Sequence, residues 1–237
     1  MYGGVSFPLV FLELRLDGNY EFLRYGTNLG GSGKIGPPIS SKNRRSAMNA
    51  KEADNYFAGL IFADGWFRNT HKVNQNPSIE IELTDKGVVK EFVKWIGANS
   101  VRNYRNGSTF GAGSTAPEKF AFLDKHGVVS KVQVSPHLAN SKNFWRGFID
   151  GDGSLQIIKT KRGCAGALEV SNNSPVILDQ LKMFAPCFSK CSVRKHSKNC
   201  YVLRTRSKAV ENFVADIYSC DPAIRRKKNK ANRFREL

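Results

Sequence analysis

Two stretches of this chain repeat an unusual pattern, a helix-like run that contains a glycine and stops at Asp-Gly. They are Phe57–Gly65 and Trp145–Gly153. A glycine inside a helix costs about 1 kcal/mol relative to alanine, so a repeated one at Gly59 and Gly147 indicates a close approach of two helices. In both copies another small residue follows one helical turn later and shares that face. The pattern therefore predicts two matching halves whose helices pack against each other.

Hydrophobic periodicity and turn signals divide the chain into three sections. Residues 1–48 are predicted as an N-terminal extension, with a hairpin followed by a Gly/Pro-rich linker. Residues 49–140 and 141–237 are each predicted to have the order αββαββα. The predicted helices are 49–64, 87–96 and 117–126 in the first half and 142–152, 175–184 and 208–218 in the second. The predicted strands are 66–74, 78–84, 101–106 and 109–114, and then 154–161, 166–171, 192–196 and 200–206.

Each repeated helix ends in an aspartate, Asp64 in the first half and Asp152 in the second. The helix dipole is negative at that end and disfavours a carboxylate there, and two such ends side by side would also repel. A divalent cation relieves both problems, and carboxylate oxygens suit Mg²⁺. Two carboxylates at a phosphodiester are typical of metal-assisted phosphoryl hydrolysis. The alternative, that Asp-Gly is only a helix stop or a turn, accounts less well for two copies with the same internal glycine.

The charge of the chain favours a polyanionic partner. Lys and Arg number 37 against 20 Asp and Glu, which gives a formal net charge of +17. Nucleic acid is the simplest such partner, although a basic protein that binds none is the alternative. No apolar run reaches the roughly 18–20 residues that span a bilayer, so no membrane partner is expected. The odd number of cysteines, five, favours a reducing intracellular compartment over secretion and leaves the host compartment open.

The motif pair resembles the LAGLIDADG homing endonuclease family in its single-chain, double-motif form. The resemblance covers roughly residues 49–237, and it implies an α+β fold of two pseudo-symmetric halves. In that fold saddle-shaped antiparallel sheets lie along the DNA and the motif helices pack at the centre. It also implies a monomer that cuts both strands of a long, asymmetric double-stranded site of roughly two helical turns, leaving short 3′ overhangs. One departure is Phe62, where the motif has its first aspartate; Asp150 keeps it.

The resemblance also implies a metal site at the ends of the motif helices. Mg²⁺ or Mn²⁺ would be held by Asp64 and Asp152, with Ala63 and Gly151 as further ligands.

Four further residues match supporting positions of the family's site. Lys131 and Lys227 match a basic residue beside each acid, which could stabilise the pentavalent phosphate or organise the attacking water. Lys227 could equally be part of a solvated basic tail. Asp85 and Asn172 match a polar residue at the end of each second strand that holds solvent near the scissile phosphate. Either could also cap the helix that follows.

Strand alternation predicts which side chains would face DNA, because every second side chain points to the same face. Acids on such a face are unusual unless they accept a hydrogen bond from cytosine N4. The candidates counted from the two metal acids are Arg68, Thr70, Lys72, Asn74, Glu80, Glu82, Arg102 and Tyr104 in the first half, and Gln156, Ile158, Thr160, Arg162, Glu169, Arg194 and His196 in the second.

Several alternatives stay open at this point. The same basic surface would serve an RNA maturase that assists the splicing of its own intron, or a DNA-binding relative that does not cut. A nucleic-acid coat protein would need no acid pair. The residues Cys187, Cys191, His196 and Cys200 are spaced almost like a zinc knuckle, but predicted strands run through them. Residues 1–48 could be a DNA-contacting arm, a read-through of an interrupted host gene or a strand pair on the core.

Overall fold

The computed structural model describes residues 49–68, 76–161 and 163–234. The helices are α1 (Ala50–Asp64), α2 (Lys86–Ile96), α3 (Pro117–Lys125), α4 (Pro136–Ala139), α5 (Lys142–Asp152), α6 (Pro175–Phe184), α7 (Lys208–Ile217) and α8 (Arg225–Phe234). The strands are β1 (Gly65–Arg68), β2 (Ser78–Leu83), β3 (Arg102–Tyr104), β4 (Thr109–Thr115), β5 (Gly153–Thr160), β6 (Gly163–Asn172), β7 (Arg194–Ser197) and β8 (Cys200–Arg206). Single 3₁₀ turns lie at Arg105–Gly107 and Pro186–Phe188.

The strands form two four-stranded sheets of the same topology. Their orders are β1-β2-β4-β3 and β5-β6-β8-β7, and every neighbouring pair is antiparallel. The predicted α+β fold of two pseudo-symmetric αββαββα halves is confirmed. The hairpin predicted within residues 1–48 and the far end of the strand predicted to reach Asn74 lie outside the described residues. The exact boundaries of the three sections stay predictions.

Each sheet has one buried face because its apolar residues alternate along the strand. In β2, Ile79 and Ile81 are buried against α2, while Glu80 and Glu82 point the other way. In β6, Leu168 and Val170 are likewise buried under α6 and α7. The other face of each sheet, called the outer face below, is turned away from the helices.

The two motif helices form a tight central seam. An added Cβ atom at Gly59 would lie 1.9 Å from the carbonyl oxygen of Phe144, and one at Gly147 would lie 2.0 Å from that of Tyr56. Only glycine permits the two backbones to approach this closely, which confirms the predicted packing of the motif helices. Local signals also set where each helix begins. Asn49 and Glu52 form a capping box at α1, and Ser141 accepts a hydrogen bond from Phe144 N at α5.

Two helices were not predicted. Helix α4 is a single turn in the connection between the halves. Helix α8 lies in a strongly basic run, and it buries Lys227, Ala231 and Phe234, which recur at helical spacing. Among the helices that the structure describes, none is both long and apolar enough to cross a bilayer.

Candidate active site at the helix seam

The two acids meet at one end of the seam. Asp64 ends α1 and Asp152 ends α5, and each is followed by an extended glycine that starts a strand directly. An added Cβ at Gly151 would lie 2.3 Å from Ala63 Cβ and 3.1 Å from Asp64 Oδ2. The carboxylate of Asp64 therefore lies against the last turn of α5, and both acids sit at the same edge of the seam.

The electrostatic surroundings make a negative charge costly at this edge. Desolvation raises the pKa of Asp152 to about 6; the amide of Asn172 opposes this shift, and the negative charge of Asp64 adds to it. Desolvation also raises the pKa of Asp64, against the opposing charges of Lys227, Lys131 and Arg226, although its side chain is more exposed to solvent. Two adjacent carboxylates that are reluctant to ionise form a site where a cation is stabilising.

Lys131 reaches the seam from the connection between α3 and α4. Its backbone has a φ of +53°, which is uncommon outside glycine and asparagine, and its Nζ donates a hydrogen bond to the carbonyl oxygen of Gly65. Burial lowers the pKa of Lys131, while the charges of Asp152 and Asp64 hold it up. The structure therefore places this lysine beside both acids.

Lys227 lies on α8 and caps the last turn of α5. Its Nζ donates to the carbonyl oxygens of Ile149 (2.7 Å), Asp150 (2.5 Å) and Gly151 (3.2 Å). Desolvation lowers its pKa to about 8, against the opposing charge of Asp150. An ammonium group has three donors, and here three carbonyls take them. Lys227 is therefore a buried counter-charge for the negative end of α5 rather than part of a solvated basic tail.

Asn172 and Asp85, which the resemblance matches to one position, are not equivalent in the structure. Gly65 pairs with Ile81 as Gly153 pairs with Val170, so Leu83 is the counterpart of Asn172. Asn172, the last residue of β6, donates through Nδ2 to Asp152 Oδ2 (2.5 Å) and accepts from Ser174 N (2.8 Å). Asp85 accepts from Gly87 N (2.9 Å) and Val88 N (3.1 Å) and, through its other oxygen, from Arg225 N (2.7 Å). Because β2 ends at Leu83, Asp85 lies beyond the strand end and caps α2 and α8.

Asp150 has a structural role in the same helix. It is fully buried and accepts hydrogen bonds from Tyr56 OH (2.8 Å), Tyr218 OH (2.8 Å) and Ile224 N (2.9 Å). The bond from Ile224 fixes the chain just before α8, and so helps to place Lys227. At the matching position of α1, Phe62 instead packs edge-on against Phe148, with ring centroids 5.7 Å apart.

The donor set at the seam suits a hard cation with few protein ligands. In the described ranges no three His, Cys, Asp or Glu side chains come together as a metal cluster. Mg²⁺ is commonly held by one or two carboxylates together with waters and substrate phosphates, so Asp64 and Asp152 fit it. Of the two further ligands implied by the family, Gly151 already accepts a hydrogen bond from Lys227 through its carbonyl oxygen.

The strand register places most of the predicted DNA-facing residues on the outer faces. In the first sheet Arg68, Glu80, Glu82, Arg102 and Tyr104 share that face. In the second sheet Gln156, Ile158, Thr160, Glu169 and Arg194 do so. Thr70, Lys72, Asn74 and Arg162 lie outside the described residues.

Sequence reasoning was incomplete at two places on these faces. A register shift between Lys195 and Ser197 takes His196 out of the regular alternation, so its predicted orientation does not follow from counting. Arg204 and Arg206 were not predicted; they lie opposite Glu169 and Ala167 and are exposed. Counting along β8 from its pairing with β6 would have found them.

Comparisons with known proteins agree with this architecture. Residues 139–218 match the family model described as a LAGLIDADG-like domain. No curated protein matches the chain in sequence. A structure of the LAGLIDADG homing endonuclease I-LtrWI bound to target DNA is similar, with 14% identity, a TM-score of 0.56 and coverage of 79% of this chain and 90% of that one.

Two other solved structures have the same fold. I-SmaMI, bound to an uncleaved DNA target in the presence of calcium ions, shares 14% identity at a TM-score of 0.55, over 80% of this chain and 90% of that one. I-GzeII, a LAGLIDADG homing endonuclease in complex with its DNA target, shares 13% identity at a TM-score of 0.53, over 80% and 89%. Residues 139–218 therefore match a LAGLIDADG-like domain, and the described chain has the fold of these solved LAGLIDADG homing endonucleases.

Proposed function

We propose that this protein is a site-specific endonuclease that hydrolyses one phosphodiester on each strand of double-stranded DNA, with Mg²⁺ or Mn²⁺, and leaves short 3′ overhangs. The observation that carries the proposal is the position of Asp64 against Gly151, which brings both motif acids to one edge of the seam. Similar solved structures contain DNA targets, which supports DNA as the partner. The net charge of +17 is in keeping with that partner.

In this proposal the protein groups hold and orient the reacting phosphates. Asp64 and Asp152 would hold the divalent metal, which when bound would stabilise charge on the phosphate and make a nearby water more acidic. Asn172 fixes the Asp152 carboxylate through its 2.5 Å hydrogen bond. Lys131, which has one described acceptor, keeps donors for a phosphate oxygen. Lys227 stabilises the end of α5 and acts through the position of Asp152.

Each half supplies one acid, so one chain can assemble the whole site. We therefore propose that the protein acts as a monomer inside the cell on a long asymmetric duplex of roughly two helical turns. Intron homing would be the use of such an activity. Only the basic charge supports intron RNA as a partner, so we put forward the DNA endonuclease as the function.

Cleavage of a randomised duplex library tests the proposal without knowledge of the target. The full chain is incubated with the library and Mg²⁺, and the new ends are captured and sequenced. We expect paired cuts with 3′ overhangs at a narrow set of sequences, and at least 100-fold fewer with Asp152→Asn, because loss of a metal-binding carboxylate removes most of the catalysis. Asp124→Asn, an exposed aspartate late in α3, is the matched control. Equal cutting by wild type and Asp152→Asn would contradict the proposal.

A further inference from the structure

Three acidic side chains lie on the outer faces of the sheets, where a DNA-binding surface would be expected to be basic. Each of them is paired with an arginine rather than left alone. The pairs are Arg68–Glu80 (Nε to Oε1, 3.0 Å), Arg105–Glu82 (Nε to Oε1, 3.3 Å) and Arg204–Glu169 (Nη1 to Oε2, 3.5 Å).

In every pair the acid is covered and the arginine is open to solvent. The exposed fractions of the glutamate side chains are 9%, 23% and 29%, whereas those of their arginines are 61%, 74% and 53%. The carboxylate therefore lies against the sheet and the guanidinium stands above it. Ion pairs whose arginine is open to solvent contribute little to stability, so stability alone does not account for three such pairs.

The two glutamates of β2 also accept hydrogen bonds from neighbouring side chains. Ser78 Oγ donates to Glu80 Oε1 (3.2 Å), and Thr109 Oγ1 donates to Glu82 Oε1 (2.6 Å). An added Cβ at Gly113 would lie 2.4 Å from Glu80 Cγ, so glycine at that position lets the Glu80 side chain lie flat across β4. A carboxylate held in this way is a rigid support for the arginine above it.

Each arginine has donors beyond its contact with the glutamate. That contact is made by Nε in Arg68 and Arg105 and by Nη1 in Arg204, whereas a guanidinium carries five N–H donors. A planar pair of guanidinium donors matches the O6 and N7 acceptors of guanine in the major groove. Arg105 also has a φ of +48°, a backbone conformation that costs energy for a residue of this type, and such outliers cluster at ligand-contacting sites.

We propose, on the basis of the DNA-endonuclease function above, that Glu80, Glu82 and Glu169 are positioning residues that orient Arg68, Arg105 and Arg204 toward guanines of the target. Two of these guanines would lie in the first half-site and one in the second. Glu80 and Glu82 are two residues apart in β2, about 7 Å, which corresponds to about two base-pair steps of 3.4 Å. The glutamates would then act through arginine and would not themselves accept from cytosine.

Binding-site selection with the full chain tests this inference. Wild type and single variants select from a randomised duplex library in Ca²⁺, and the enriched sequences and the salt dependence of affinity are measured. For wild type we expect guanine at two positions about two steps apart in one half-site. Glu80→Gln should lower discrimination at one of them by roughly 5- to 50-fold while the salt dependence is kept, since no phosphate contact is lost. Arg68→Lys should do the same at that position because lysine keeps the charge and loses the fork.

Glu91→Gln is the matched control because Glu91 is also ion-paired, to Lys94 at 2.8 Å, but on the surface of α2. Glu82→Gln tests independently the other expected guanine of the first half-site, the one assigned to Arg105. The inference would be overturned if wild type enriches a target but Glu80→Gln and Glu82→Gln leave every base preference unchanged, or if they remove a preference for cytosine. Either result would leave the endonuclease proposal standing. If wild type enriches no duplex at all, the endonuclease proposal itself falls.

Discussion

The two halves share one backbone plan but support their acids differently. Asp152 receives a 2.5 Å hydrogen bond from Asn172, and Lys227 caps the last carbonyls of its helix. In the first half the register places Leu83 where Asn172 lies, and Asp85, two residues further on, caps two other helices. The comparison teaches that pseudo-symmetry fixes where the two acids lie, while the groups that surround each acid differ.

The largest expected effect tests what the halves have in common. Gly147→Ala should lower the free energy of unfolding by several kcal/mol, because the new Cβ would lie 2.0 Å from the backbone oxygen of Tyr56. Gly59→Ala should cost a similar amount, since its clash with Phe144 is equivalent. Urea unfolding measures both. Gly87→Ala is the control, because its new Cβ would lie 3.1 Å from Asp85 Oδ1, a side-chain atom. If Gly147→Ala and Gly59→Ala destabilise the protein no more than Gly87→Ala does, the tight seam is contradicted.

The second prediction concerns Asn172 and Asp85, to which the resemblance assigns the same role. Asn172→Ala should lower the cleavage rate by roughly 10- to 100-fold, because it frees the Asp152 carboxylate. Asp85→Ala should leave the rate per folded molecule nearly unchanged and lower stability by about 1–2 kcal/mol, since it removes a cap. Single-turnover cleavage and urea unfolding separate the effects. A loss of rate with Asp85→Ala as large as that with Asn172→Ala would show that the family's assignment of a solvent-holding residue applies to both halves.

The third prediction uses the raised pKa of Asp152, which is about 6. Because the folded-state value lies above the ordinary 3.8, the folded protein binds the extra proton, and stability without metal should fall as pH rises from about 4 through 6. Asp152→Asn should therefore raise stability at neutral pH by about 1–3 kcal/mol in the absence of metal. Unfolding measured between pH 4 and 7 checks this, with Asp124→Asn as the control. A pH dependence identical in wild type and Asp152→Asn would contradict the raised pKa.

The smallest effect compares the starts of the two motif helices. Asn49 makes both bonds of a capping box, whereas Ser141 accepts one longer bond from Phe144 N (3.3 Å). Asn49→Ala should cost about 1 kcal/mol and Ser141→Ala somewhat less on that account. Thermal unfolding of both variants would show it. If Ser141→Ala lowers stability more than Asn49→Ala does, the second contact of Ser141, a 3.0 Å hydrogen bond from Asn55, contributes more than the cap.

Sequence patterns predicted the regular elements well because they depend on local signals. The helix over Lys142–Asp152 is confirmed at both ends, since its serine cap and terminal glycine mark them. Helix α8 was missed because its buried face contains Lys227, a residue that pattern counting treats as solvent-exposed. Its burial depends on the carbonyls of another helix, which only the tertiary structure brings near.

The candidate site was predicted where a motif repeats and less well where tertiary contacts decide. The pairing of Asp64 with Asp152 followed from small residues in register. The displacement of Asp85 depends on the pairing of β1 with β2, which places Leu83 at the position of Asn172, and the orientation of His196 depends on a register shift. The sequence alone indicates neither the position of Asp85 nor the orientation of His196, because the partner strand sets where strands end and bulge.

A single measurement tests the central claim most directly, namely that the acids at the ends of the two motif helices share a divalent metal. Crystals of the protein with a selected duplex are grown with Mn²⁺, and its anomalous scattering locates the ion. The account predicts a peak between the carboxylates, about 2.0–2.3 Å from an oxygen of Asp64 and from one of Asp152. Manganese bound elsewhere, with no ion in contact with either carboxylate, would contradict it.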